Sequence, residues 1–181
     1  MPIYERTLNE IREEFPDFHL QRKSTSTLMK VLDVLLRVFT LGAADAFMTD
    51  FITTIGNTVL IPTHWDDMDP IDRVCILRHE RVHMRQRRRM GSLLYTLKYL
   101  LWPLPAVFAW GRRELEMEAY AETMRAIVFF YGLQELDDPE YKAELFSYFT
   151  GPNYFWMWPF KGALEAWYRV TVAQIRAEHA H

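Results

Sequence analysis

Two histidines one helical turn apart, with a glutamate directly after the first, stand in the segment His79-Glu80-Arg81-Val82-His83. On an α-helix, residues four apart project from one face, so both rings can offer a nitrogen to one ion while Glu80 lies beside it as a base. That pattern points to zinc and an activated water. A catalytic zinc site takes three protein ligands and leaves a fourth position for water, whose pKa the ion lowers from about 15.7 to about 7. A third ligand must therefore come from elsewhere in the chain. The competing reading of the pair is an incidental match, with both rings bonded to core carbonyls.

The segment around the motif has the marks of a helix over Pro70–Met90. Asp69 can cap it, Pro70 suits the first helical position and Asp72 completes a capping-box-like pattern. At the other end Arg87, Arg88 and Arg89 favour the negative pole of the dipole, and Gly91 closes it. Steps of about 100° gather Ile71, Cys75, Ile76, His79, Val82, His83, Gln86 and Met90 on one arc, which is expected to be buried. Arg73, Arg78, Arg81, Arg85 and Arg88 fall largely on the other side and read as a solvated face rather than a nucleic-acid site.

A missing ligand should be a carboxylate or a histidine on an apolar face without an obvious counter-charge, because burying an unpaired charge is otherwise costly. Residues 112–131 offer one. Glu116 shares its arc with Met117, Tyr120, Thr123, Met124, Ile127, Val128 and Phe130, whereas Glu114, Glu118, Glu122 and Arg125 point away. Glu116 is therefore the expected ligand. Glu118 is the alternative, since Glu122 one turn later could support it. Glu116 could instead pair with Arg113 near the helix start.

These residues resemble the zincin metallopeptidases of the glutamate-ligand branch, the gluzincins. Members carry the two-histidine helix and a later helix with Glu-x-x-Ala-Asp or Glu-x-Glu-Ala-Asn, and Glu116-Met117-Glu118-Ala119-Tyr120-Ala121 matches with one departure. Tyr120 stands where an acid or amide would orient a ligand histidine; it can still hydrogen-bond but supplies no charge. The wording around both motifs is similar to small metallopeptidases of bacteria and their phages, over roughly residues 47–131. The resemblance implies a zincin-like fold, one Zn2+ per chain held by His79, His83 and Glu116, Glu80 as the catalytic base, and hydrolysis of peptide bonds in a protein or peptide substrate. Tyr120 and Tyr154 are the candidates for stabilising an oxyanion.

Zincins place an edge strand beside the cleft, and a peptide can add to such an edge through backbone hydrogen bonds. Phe51-Ile52-Thr53-Thr54-Ile55, Gly56-Asn57 and Thr58-Val59-Leu60-Ile61-Pro62 read as a β-hairpin around a tight turn. Pro62 suits an edge, so Thr58, Val59, Leu60 and Ile61 form the candidate substrate strand. A purely structural hairpin is the alternative.

The chain of 181 residues is 50% hydrophobic and 15% aromatic, enough for one core. Its net charge of −3 recruits neither nucleic acid nor an acidic membrane through bulk electrostatics. Cys75 is the single cysteine and excludes an intrachain disulfide. The first residues lack a basic run followed by an apolar one, so no signal peptide is expected. Residues 28–41 read as a core helix closed by Gly42, too short for the ~20 residues that a membrane span needs. Residues 93–110 are almost wholly apolar, but Pro103 and Pro105 break any single helix. They read as a buried connector or, alternatively, as a hairpin facing a protein partner or membrane surface. Two further helices are expected, one opened by Asp138-Pro139 and one over about 163–177. Between them Tyr154, Phe155, Trp156, Trp158 and Phe160 read as core filling or, alternatively, as the wall of a hydrophobic specificity pocket or a partner site.

The expectation is thus a single domain of mostly helical α+β class, with an N-terminal helical region over 1–46, a zincin-like core over 47–131 and an aromatic-rich helical region over 132–181. Within it the zinc-binding helix would pack on a small hairpin or sheet. The expected location is cytoplasmic or phage-associated, with no clear transmembrane helix. The alternative function is a catalytically inactive zincin-fold structural or assembly protein, associated with a membrane surface or a phage particle, with zinc as a staple or absent.

Overall fold

Leu8 and Ile11 recur at helical spacing in Ile3–Glu14, and this stretch forms α1, which buries both. The computed structural model describes residues 1–25, 52–101, 109–151 and 157–180. Among these the protein is mostly helical α+β, with six α-helices and one three-stranded sheet. It divides into two compact units, Met1–Met84 and Arg85–His181, with the division inside a helix.

The first unit contains α1, the strands β1 (His19–Arg22), β2 (Thr53–Ile55) and β3 (Thr58–Ile61), and most of α2 (Pro70–Met90). Gly56, at φ +66°, supplies the left-handed conformation that lets β2 turn back on β3. Their antiparallel register pairs Thr53 with Leu60 and Ile55 with Thr58. The expected hairpin is therefore present, but β3 is not an edge. β1 pairs with its other side in parallel, His19 to Thr58 through Arg22 to Ile61, giving the order β1-β3-β2. Both hydrogen-bonding edges of Thr58–Ile61 are thus engaged, and the substrate-strand assignment is corrected: a peptide cannot add there. The 28–41 helix lies outside the described residues.

Val59 and Ile61 bury against Leu8, Ile11, Phe15, Phe18, Trp65, Leu77 and Met84. Trp65 reconciles its burial with a polar ring by donating Nε1–H to Tyr4 Oη at 3.1 Å. The start of α2 is capped as its sequence indicates, with Asp69 Oδ1 accepting from the Ile71 amide at 2.7 Å.

The second unit holds the last turns of α2, followed by α3 (Ser92–Leu101), α4 (Trp110–Tyr131), α5 (Pro139–Thr150) and α6 (Lys161–Glu178). Gly91 ends α2 at φ +82°, its amide bonded to the Arg87 carbonyl at 2.8 Å. Asp138 caps α5 by accepting from the Glu140 amide at 2.8 Å, with Pro139 at the first helical position. Tyr120, Met124 and Val128 of α4 share a core with Leu145, Phe146 and Phe149 of α5 and Leu164, Tyr168 and Ile175 of α6. Gly111 lets α3 and α4 approach closely, since a Cβ there would overlap the Lys98 backbone carbonyl.

The buried-connector reading of residues 93–110 is overturned for the part described: Leu93, Leu94, Leu97 and Leu100 of α3 and Trp110 of α4 are all exposed. Residues 102–108 lie outside the description.

Candidate metal centre

Helical geometry alone brings the two imidazoles together. On α2 the Nε2 atoms of His79 and His83 lie 3.2 Å apart, the rings nearly perpendicular at 75° with centroids 4.9 Å apart. His83 is buried and His79 half-buried. Two nitrogens ~2.05 Å from one tetrahedral ion would stand about 3.3 Å apart, so this separation is compatible with a shared divalent ion.

Glu80 is also buried, although it follows His79 directly. Its Oε2 accepts a 2.6 Å hydrogen bond from Thr54 Oγ1. Thr54 belongs to β2, so the sheet determines where this carboxylate points. The helical wheel did not anticipate this. α2 also buries Val74, Leu77 and Met84, outside the expected arc, because its second apolar face enters the core of the first unit.

In the second unit Glu116 is only 2% exposed, as its place on the apolar arc of α4 requires. Tyr99 Oη on α3 donates to Glu116 Oε1 at 2.7 Å. Burial, and then the adjacent Glu116 charge, push the Tyr99 phenol well above its ordinary pKa, so the ring stays protonated and remains a donor.

Glu118 has a different environment. Its carboxylate accepts from Gln86 Nε2 at 3.1 Å and from Arg89 Nη1 and Nη2 at 3.2 and 3.0 Å. Gln86 also donates to the Leu115 carbonyl at 2.9 Å, tying the last turn but one of α2 to α4. A half-exposed carboxylate held by a guanidinium and an amide is a structural ion pair.

Among the described residues, His79, His83 and Glu116 form a group in which one ligand atom from each lies within 4.8 Å of the others. Two imidazole nitrogens and a carboxylate oxygen, mostly buried, suit a divalent ion of intermediate softness. This donor set fits zinc.

The Tyr120 ring stacks on Tyr148 with centroids 5.5 Å apart and tilts against Phe149 at 5.3 Å, within the core. Tyr154 lies outside the described residues. Sequence reasoning passed over Thr54, Tyr99 and Gln86. Tyr99 carried a signal, because Tyr95, Lys98 and Tyr99 are polar-headed residues at helical spacing in an otherwise aliphatic stretch. Thr54 carried none, since its partner is distant in sequence.

No family model matches the chain, and no match was found among curated proteins or solved structures.

Proposed function

We propose that the chain is a zinc-dependent metallopeptidase in which His79, His83 and Glu116 hold the ion and Glu80 is the catalytic base. The observation that carries this reading is the convergence of three ligand atoms, two from the His79/His83 turn and one from a separate helix, within 4.8 Å. A bound divalent ion would supply Lewis acidity, lowering the pKa of a coordinated water and polarising a carbonyl.

The remaining chemistry belongs to the chain. Glu80 takes a proton as water attacks the peptide carbonyl carbon, then delivers a proton to the amide nitrogen as the C–N bond breaks, leaving a free carboxylate and an amine. Thr54 holds the Glu80 carboxylate through its 2.6 Å bond, so the base does not have to be ordered during the reaction. Tyr99 orients Glu116 in the same way.

Glu80→Gln tests the reading most directly. It keeps the shape and the hydrogen bond from Thr54 but removes the base, so zinc content and folding should persist while peptide cleavage disappears. Cleavage at the wild-type rate would overturn the mechanism. A wild-type protein that takes up no zinc in equilibrium dialysis would overturn the metal site itself.

A further inference from the structure

The polarity of α3 is reversed relative to a helix at a water-facing surface. Its polar-headed residues are engaged: Lys98 Nζ lies 2.8 Å from Glu114 Oε2, Tyr99 donates to Glu116, and Tyr95 stacks on Tyr99 with centroids 5.8 Å apart. Its leucines face out. Leu93, Leu94, Leu97 and Leu100 are 75%, 56%, 43% and 51% exposed, and positions 93, 97 and 100 follow helical spacing along one face. Single exposed leucines need no explanation, but four on one ten-residue helix form a contiguous apolar patch of the kind that marks an interaction surface.

Charge identifies what covers it. Residues 85–113 contain seven lysines and arginines and no aspartate or glutamate, in a chain whose net charge is −3. The rest of the protein therefore sets 14 cationic against 24 acidic residues, a net −10. Arg85 and Arg88 are exposed just before Gly91 at the start of α3, beside Arg89, whose guanidinium is paired with Glu118. An anionic surface with an apolar interior matches both features.

We propose that α3 docks this protein on anionic phospholipid membranes, its leucines entering the acyl boundary and the preceding arginines meeting the headgroups. The association is peripheral: no described helix is long and apolar enough to cross a membrane. The inference is independent of the metal reading and would stand if no zinc bound.

Co-sedimentation of the full chain with vesicles of phosphatidylcholine, alone or mixed with phosphatidylserine, tests it. Binding is expected with the mixed vesicles and not with the neutral ones. Arg88→Ala should weaken it about fivefold, and added salt should weaken it further. The double variant Leu93→Glu/Leu97→Glu alters only exposed side chains, so it should keep the wild-type far-UV circular dichroism and lose binding. Failure to sediment with anionic vesicles, equal binding to neutral ones, or binding unchanged by both variants would overturn the proposal. So would sedimentation velocity showing a dimer that the leucine substitutions dissociate. Should the double variant misfold, Arg88→Ala and the salt titration decide the matter alone.

Discussion

Thr54 Oγ1 donates a 2.6 Å hydrogen bond to Glu80 Oε2, joining the hairpin strand β2 to the glutamate between the two histidines of α2. A hydroxyl on a paired strand has little freedom, so it fixes the carboxylate's rotamer. Thr54→Val removes the donor at nearly constant shape. Hydrolysis of a peptide substrate should fall about tenfold in kcat, with zinc content unchanged. Equal losses of zinc and activity would show that the variant had disturbed the ligands instead.

Glu116 and Glu118 are two residues apart, and their environments assign them opposite roles. Glu116→Ala should weaken zinc binding by about 100-fold or more, read by competition with a chelator. Glu118→Ala should leave zinc in place and cost about 1 kcal/mol or less in thermal unfolding, since it removes a partly exposed ion pair with Arg89.

Tyr99→Phe isolates the phenol's contribution to the centre. Without the 2.7 Å bond to Glu116, the carboxylate loses an orienting partner inside the fold. Zinc affinity should drop about tenfold, while the aromatic packing on Tyr95 is kept. Unchanged affinity would reduce Tyr99 to a packing residue.

Cys75 is buried, and burial, followed by the nearby Asp72 charge, pushes its thiol up to about 11. The reactive thiolate is therefore scarce at neutral pH. A thiol reagent at pH 8 should label the native chain far more slowly than the urea-unfolded one. Comparable rates would mean that the first turns of α2 open freely.

Arg125 of α4 and Glu178 of α6 form a two-armed pair at 2.9 and 2.8 Å. The hydrogen bond from Arg125 holds the Glu178 carboxyl below its usual range. A carboxyl depressed in the folded state adds stability that is fully present above its unfolded pKa and is lost as pH falls through the folded one. Glu178→Gln should thus cost about 0.5 kcal/mol at neutral pH, and the difference from wild type should vanish on acidification below the ordinary carboxylate range. A difference independent of pH would show that packing, not charge, was lost.

Local patterns in the chain determined a good deal. Asp69, Pro70 and Gly91 marked both ends of α2, Asp138-Pro139 marked α5, and the turn at Gly56-Asn57 marked the hairpin, because capping and turn chemistry act over a few residues. The 3.6-residue period likewise put His79 and His83 on one face and singled out Glu116 as a carboxylate on an apolar arc. Tertiary structure decided the rest. The parallel pairing of β1 made β3 a central strand, and no pattern within Thr58–Ile61 encodes a partner so far away in sequence. The wheel identified a face of α4 but not its neighbours, and residues 93–110 showed only an apolar run, so neither Tyr99 on Glu116 nor the leucines left in the open could be foreseen. Periodicity says which side of an element differs from the other; which surface meets that side, or whether any does, depends on contacts between segments far apart in the chain.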